Sequence, residues 1–205
     1  MHFHYVDIGT SNFGTSAKHR KPDENLLLVE PLQFYLNDLP NHANIYKANF
    51  AISDKEYTTT IFYVPPTDIT RLGLPAWVRG CNSINDYHPT VKKVLGEMNI
   101  PLDVVQKQET QVISFKTLID KYDIDAIDSL KIDTEGHDHV ILENVLNTID
   151  ATGIEITQIV VEYHPAFKNT EQIDALFARA AETLGYTEFG INKANKGLKK
   201  IKPSV

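Results

Sequence analysis

Short apolar runs alternate with polar stretches bearing glycine or proline along most of the chain. Phe3 to Ile8 ends in Asp7-Ile8-Gly9 and predicts a strand. Asn25 to Val29 predicts a second, ending Glu30-Pro31, and Asn44 to Ile52 alternates as a third. A short helical or turn segment after Gly14 is cut off by Pro22, and Leu32 to Leu39 reads as a helix stopped by Pro40. Thr58 to Val64 is β-branched and aromatic, which predicts another strand or an edge extension. From Pro65 to Pro89 the pattern dissolves into Pro, Gly, Asn, Asp and isolated aromatics, and the expectation is a long loop that lids a site. Val91 to Met98 predicts a helix, Gln111 to Phe115 a strand and Lys116 to Tyr122 a helix. Ser129 to Asp133 then reads as a buried strand. Asp138 to Thr148 has the helical spacing Val140, Ile141, Val145, continued by Ile149. Ile156 to Tyr163 is another buried strand. Thr170 to Leu184 is a helix with Thr170 as its N-cap and Gly185 at its C-terminal end. Tyr186 to Ile191 and Leu198 to Ile201 pair as a terminal antiparallel hairpin.

Strands alternating with helices imply an α/β fold, a doubly wound, mostly parallel sheet. The 205 residues suit a single domain over 1–205, with 65–90 as its lid and acceptor loop. A net charge of -7 disfavours nucleic acid and anionic membrane as partners. The single Cys81 excludes an intrachain disulfide and a cysteine-cluster metal site. Met1 to Val6 lacks the features of a secretory leader, and no apolar run reaches the roughly 18 residues of a membrane span. The expectation is a cytoplasmic protein without a membrane partner; a homodimer stays open.

Chemistry concentrates at the carboxyl ends of the predicted strands, where ligands sit in open α/β sheets. Lys131-Ile132-Asp133-Thr134-Glu135-Gly136 places two carboxylates two positions apart, on one side of the strand if the backbone stays extended. Asp7-Ile8-Gly9-Thr10-Ser11-Asn12-Phe13-Gly14 forms a glycine-bearing turn without the second glycine of the dinucleotide fingerprint. Glu30 ends the second strand, where a carboxylate accepts both ribose hydroxyls. The combination suits a nucleoside without a pyrophosphate. S-adenosylmethionine fits, its carboxylate on backbone N–H groups of the loop and its ammonium facing Asp7. Asp133, Glu135, Glu162 and His164 are the candidates for proton transfer. His164 or Glu135 is the expected base, and Asp133 the group that binds the acceptor or orders the site. Structural readings stand beside these: an internal ion pair of Asp133 with Lys131, and a hydrogen-bonded turn for His164 before Pro165. The carboxylates and imidazole also suit a hard cation, but no local spacing fixes three ligands, so no metal is assigned.

The blocks Val6-Asp7-Ile8-Gly9, Val29-Glu30-Pro31, Ala51-Ile52-Ser53-Asp54, Ser83-Ile84, Leu130 to Gly136 and Val160-Val161-Glu162-Tyr163-His164-Pro165 occur in an order that resembles the FkbM family of S-adenosylmethionine-dependent methyltransferases. The resemblance spans Val6 to Leu184. It implies a class I, Rossmann-like sheet of about seven strands in the order 3-2-1-4-5-7-6, the seventh antiparallel. It also implies O-methylation of a small-molecule acceptor, a sugar or natural product, with S-adenosylmethionine as cofactor. Asp7, Gly9, Thr10, Asn12 and Gly14 would form the cofactor loop, and Glu30 would bind the ribose. Ala51 and Ile52 would lie by the adenine, with Ser83 near cofactor or acceptor. The loop is one residue longer than the family's usual Gly-Ala-Asn-x-Gly. Two other functions compete: a non-catalytic Rossmann-like domain that binds a cofactor or a partner, and a nicotinamide dehydrogenase, which the missing glycine disfavours.

Overall fold

The computed structural model describes residues 1–205 apart from 14–16, 19, 193 and 202–205. The chain opens with β1 (His2–Ile8), β2 (Leu26–Val29), α1 (Gln33–Asp38) and β3 (Ile45–Ala48). β4 (Ala51–Ser53) and β5 (Tyr57–Tyr63) lead into an insert carrying α2 (Pro66–Arg71), a 3-10 turn (Ala76–Gly80) and α3 (Pro89–Glu97). β6 (Gln106–Ser114), α4 (Phe115–Lys121), β7 (Ala126–Ile132), α5 (Asp138–Thr152), β8 (Glu155–Glu162) and α6 (Thr170–Leu184) follow, then the hairpin of β9 (Tyr186–Asn192) and β10 (Asn195–Lys200).

Seven strands form the main sheet in the order β3-β2-β1-β7-β8-β10-β9. Neighbours from β3 to β8 are parallel, and β10 runs antiparallel to both β8 and β9. This is a Rossmann-like sheet with a C-terminal antiparallel hairpin. Chain order reverses between β1 and β7, which opens a crevice at their carboxyl ends. Leu27 and Val29 of β2 join the main core with Leu130, Ile132, Ile159 and Val161, while Leu26 and Leu28 join a second cluster with Leu36 and Leu39. That two-sided burial explains why β2 is an unbroken apolar run. In β1, the His4 and Tyr5 N–H groups both donate to the Asn25 carbonyl. Core positions shift there from Phe3 to Val6 and Ile8, so simple alternation fails along this strand.

Two expected strands and half of a third leave the main sheet. The run expected over residues 44–52 breaks after Ala48, where the Asn49 side-chain Nδ2 donates to the carbonyls of Glu30 and Pro31 and ties the break to the end of β2. Its second half, β4, joins β6 and β5 in a separate three-stranded sheet, parallel to β6, with β5 antiparallel. The expected loop over residues 65–90 is instead helical in part. It packs its own apolar cluster, built from Val64, Ile69, Leu74, Val78, Val91, Leu95, Val104 and Val105. Pro66 and Pro89 read as breakers in the sequence, yet each occupies the first helical turn, where a missing N–H costs nothing. Asn169 rather than Thr170 holds the N-cap position of α6, while Gly185 closes that helix with φ 68° as expected. No helix among the described residues is long and apolar enough to cross a membrane.

Candidate active site

The turn after β1 is held by its own backbone. Gly9 adopts φ 83°, and a Cβ there would collide with the Asp133 carbonyl, so the first and fourth loops of the sheet order touch only because residue 9 is glycine. Gly9 and Thr10 N–H groups donate to the Val29 carbonyl at 2.9 and 3.3 Å, and Ser11 N–H donates to Glu30 Oε2 at 2.9 Å. The loop was expected to offer such donors to a ligand carboxylate; these three are already committed within the protein.

Glu30 is buried, and its second oxygen accepts from Leu32 N–H at 3.0 Å. Burial pushes its pKa up to about 7, against the pull of the two backbone donors. Each carboxylate oxygen has two lone pairs, so acceptor capacity remains toward the cleft. Ala51, Ile52, Phe50 and Ile84 supply an apolar wall there. The cleft encloses about 480 Å³ of non-protein space counting its open mouth, of which about 50 Å³ is open to the centre of a water-sized sphere, so it is narrow.

Across the cleft, β7 ends at Ile132 and the chain turns at once. Glu135 sits at φ 56° and Gly136 at φ 103°, so the extended backbone expected between Asp133 and Glu135 is absent. Their carboxylates still converge, because Asp138 gathers the turn. Its Oδ1 accepts from Thr134 N–H at 2.8 Å and the Thr134 hydroxyl at 3.0 Å, and its Oδ2 accepts from Gly136 N–H at 3.0 Å. Burial pushes Asp138 up to about 7. The sequence reading missed this residue; the signal was an acidic side chain opening a helix directly after the turn.

Asp133, Glu135 and Glu162 bring carboxylate oxygens within 4.8 Å of one another. Lys131 reaches Asp133 at 2.8 Å and Asp7 at 3.5 Å. Burial works against the Lys131 charge, but the two carboxylates outweigh it and hold the pKa above the usual lysine value. Glu162 is pushed up to about 10, first by burial and then by the charges of Glu135 and Asp133, so it carries its proton at neutral pH. Its buried Oε2 has no hydrogen-bond partner among the described residues.

Glu135 has a partner that sequence reasoning placed only in the lid. His88, buried in the insert, lies with Nε2 2.7 Å from Glu135 Oε2. The His88 Nδ1 accepts from Thr90 N–H at 3.2 Å, which leaves the ring proton on Nε2, so His88 donates to the carboxylate. Burial raises the Glu135 pKa above the ordinary carboxylate range, although the His88 hydrogen bond pulls the other way.

Residues 7–188 match the family model described as the Methyltransferase FkbM domain. The chain belongs to the FkbM methyltransferase family. It is therefore a methyltransferase, and the family implies a cofactor of the S-adenosylmethionine type. No curated protein and no solved structure matches the chain.

Within this FkbM domain the expected residues separate. Gly9, Glu30, Ala51, Ile52, Asp133 and Glu135 line one cleft. Asp7 lies beneath it, buried and paired with Lys131. Thr10 is buried, and Asn12 donates outward to Asp38 at 3.0 Å, so neither lines the cleft. Gly14 falls outside the described residues. Ser83 pairs with Phe62 as an isolated bridge and lines a neighbouring recess, whereas Asn82 and Ile84 on either side of it line the cleft. His164 is exposed, and its Nδ1 accepts from Ala166 N–H at 3.2 Å. Its proton therefore sits on Nε2, which makes it a donor to any neighbour rather than a base. His137, unnoticed in the sequence, also lines the cleft; its Nε2 lies 2.9 Å from the Ser53 hydroxyl, and burial lowers its pKa to about 4.

Proposed function

We propose that this methyltransferase moves a methyl group from S-adenosylmethionine to a hydroxyl oxygen of a small-molecule acceptor, a sugar or similar compound. The observation that carries the reading is the shared cleft, with Glu30 on one rim and Glu135 on the other. The residues present suit the cofactor. Glu30 keeps lone pairs for ribose hydroxyls, and Ala51, Ile52 and Ile84 offer an apolar bed for an adenine ring. Asn82 Oδ1 is buried with no hydrogen-bond donor among the described residues at the same wall, which suits an N–H or O–H from the ligand.

When bound, S-adenosylmethionine supplies an electrophilic methyl on a sulfonium. The protein's part is alignment, worth on the order of 7–11 kcal/mol in well-oriented reactions. Glu135 would take the proton that the acceptor hydroxyl loses as its oxygen receives that methyl. Its elevated pKa lies closer to neutrality than that of an ordinary carboxylate, which suits a general base contributing roughly 10²–10⁴-fold. His88 is a positioning residue: it fixes one Glu135 oxygen and leaves the other for the acceptor. Asp133, tied to Lys131, orders the rim.

Calorimetry with S-adenosylmethionine, S-adenosylhomocysteine and NAD tests the cofactor. Micromolar binding of the first two, weakened by Glu30→Ala, with none of the third, is the expected result; binding of NAD alone would refute it. Glu135→Gln is expected to keep cofactor affinity and lose turnover by about 10²-fold or more. If His164→Ala lost turnover and Glu135→Gln did not, the base would be His164.

A further inference from the structure

Behind Glu135 lies a recess of about 190 Å³ that the cofactor reading does not use. Trp77 and Thr90 come to it from the insert, and Glu135, Glu162, His164 and Phe167 from the sheet side. Three of its features bear on what it admits.

Among the described residues that line it, none is lysine or arginine. Two of its carboxyl groups belong to the cluster held within 4.8 Å, and Lys131 beside that cluster is engaged by Asp7 and Asp133. An anionic group entering here meets the Glu135 carboxylate with no lysine or arginine in the described lining to offset it. The polar lining nonetheless has unused capacity, since the buried Glu162 Oε2 has no partner among the described residues. Protonated, the Glu162 carboxyl both donates and accepts, which matches a hydroxyl group. Finally, ring surface borders these polar groups. Trp77 is 42% exposed at the rim, and the Phe167 ring stands edge-on to His88 and His164 at 5.2 and 5.9 Å between centroids. Flat apolar faces beside hydroxyl-binding groups suit a ring with C–H on its faces and O–H at its edges. At about 190 Å³ the recess has room for a single such ring.

We propose that this recess is the acceptor site, and that it selects an uncharged, hydroxyl-rich six-membered ring over phosphorylated or carboxylated forms of the same ring. The assignment rests on the methyltransferase reading, since it places the acceptor hydroxyl beside Glu135 on the side away from Glu30. It adds a charge rule that neither the family nor the cleft supplies.

The test is ligand-observed saturation-transfer NMR on the full chain at low ionic strength, with and without S-adenosylhomocysteine. The probes are methyl α-glucopyranoside, glucose 6-phosphate and methyl glucuronide. The neutral glycoside is expected to bind at least tenfold more tightly than either anion, with the gap narrowing as salt is added. Trp77→Ala is expected to weaken the glycoside at least tenfold while calorimetry shows S-adenosylhomocysteine affinity unchanged. Equal or tighter binding of an anion, no glycoside binding, or an indifferent Trp77→Ala variant overturns the proposal. Absence of S-adenosylhomocysteine binding would instead count against the cofactor cleft, because glycoside binding is read directly on the protein.

Discussion

Two pairs of carboxyl groups, one buried and one half-buried, stand at the cleft, and the protein holds them in different ways. Glu30 and Asp138 are gripped by main-chain N–H groups of the loops they close: Ser11 and Leu32 for the first, Thr134 and Gly136 for the second. Glu135 and Glu162 have less to hold them. One takes a hydrogen bond from a histidine on a separate element, and the other takes the Glu135 main-chain N–H alone and keeps an oxygen with no partner among the described residues. A carboxylate satisfied by several backbone donors shapes the loop around it, and its removal strands those donors at once. A carboxyl group with fewer such ties shapes less, and stays available to exchange protons and ligands.

That contrast breaks most visibly at Asp138. Asp138→Ala strands the Thr134 and Gly136 donors in a partly buried turn, and unfolding free energy is expected to fall by about 3 kcal/mol. Urea denaturation is the check, and a loss below about 1 kcal/mol would mean that the turn holds without it. Gly9→Ala follows, with an expected cost on the order of 2 kcal/mol from its positive φ and the crowded Asp133 carbonyl, together with weaker cofactor binding in calorimetry. His88→Ala acts on the other pair. It is expected to lower kcat by about tenfold with cofactor affinity unchanged, and His88→Gln, which restores an N–H donor, should recover part of the loss. A fall in stability as large as that of Asp138→Ala would make His88 a scaffold residue instead.

The smallest effect concerns pH. Glu162 has a folded pKa of about 10 against a reference of 4.5, so between those values the unfolded chain binds fewer protons than the folded one. Its contribution to stability therefore declines as pH rises through that window. Glu30 and Asp138, both pushed up to about 7, add declines of the same sign that end near neutrality. Glu162→Gln removes the first share, so its Tm should fall measurably less than that of the parent between pH 7 and 9. A variant that tracks the parent across that range would show that Glu162 is ionised in the folded state.

The main sheet was legible because its strands are short apolar runs with an acidic or glycine residue at their ends, and such runs have few alternatives to a buried parallel strand. The rim residues Gly9, Glu30 and Glu135 were legible for the same reason. What the sequence concealed depended on packing between distant segments. Nothing local assigns β4 to a different sheet from β3; the Asn49 amide does so by binding the end of β2. Nothing near His88 points to Glu135, because the insert that carries it was read as a loop on the strength of its prolines. Asp7 looked like a ligand contact from its position, and only the reach of Lys131 turns it inward.

The insert has its own apolar cluster, while its Gly80 and Asn82 line the cleft and its Trp77 and His88 line the recess behind Glu135. Substitutions on that side are expected to leave the Leu130 and Ile132 layer of the sheet untouched. With the acceptor site as proposed, mutational libraries aimed at new acceptors have a starting segment between Val64 and Val105 that the main core does not depend on.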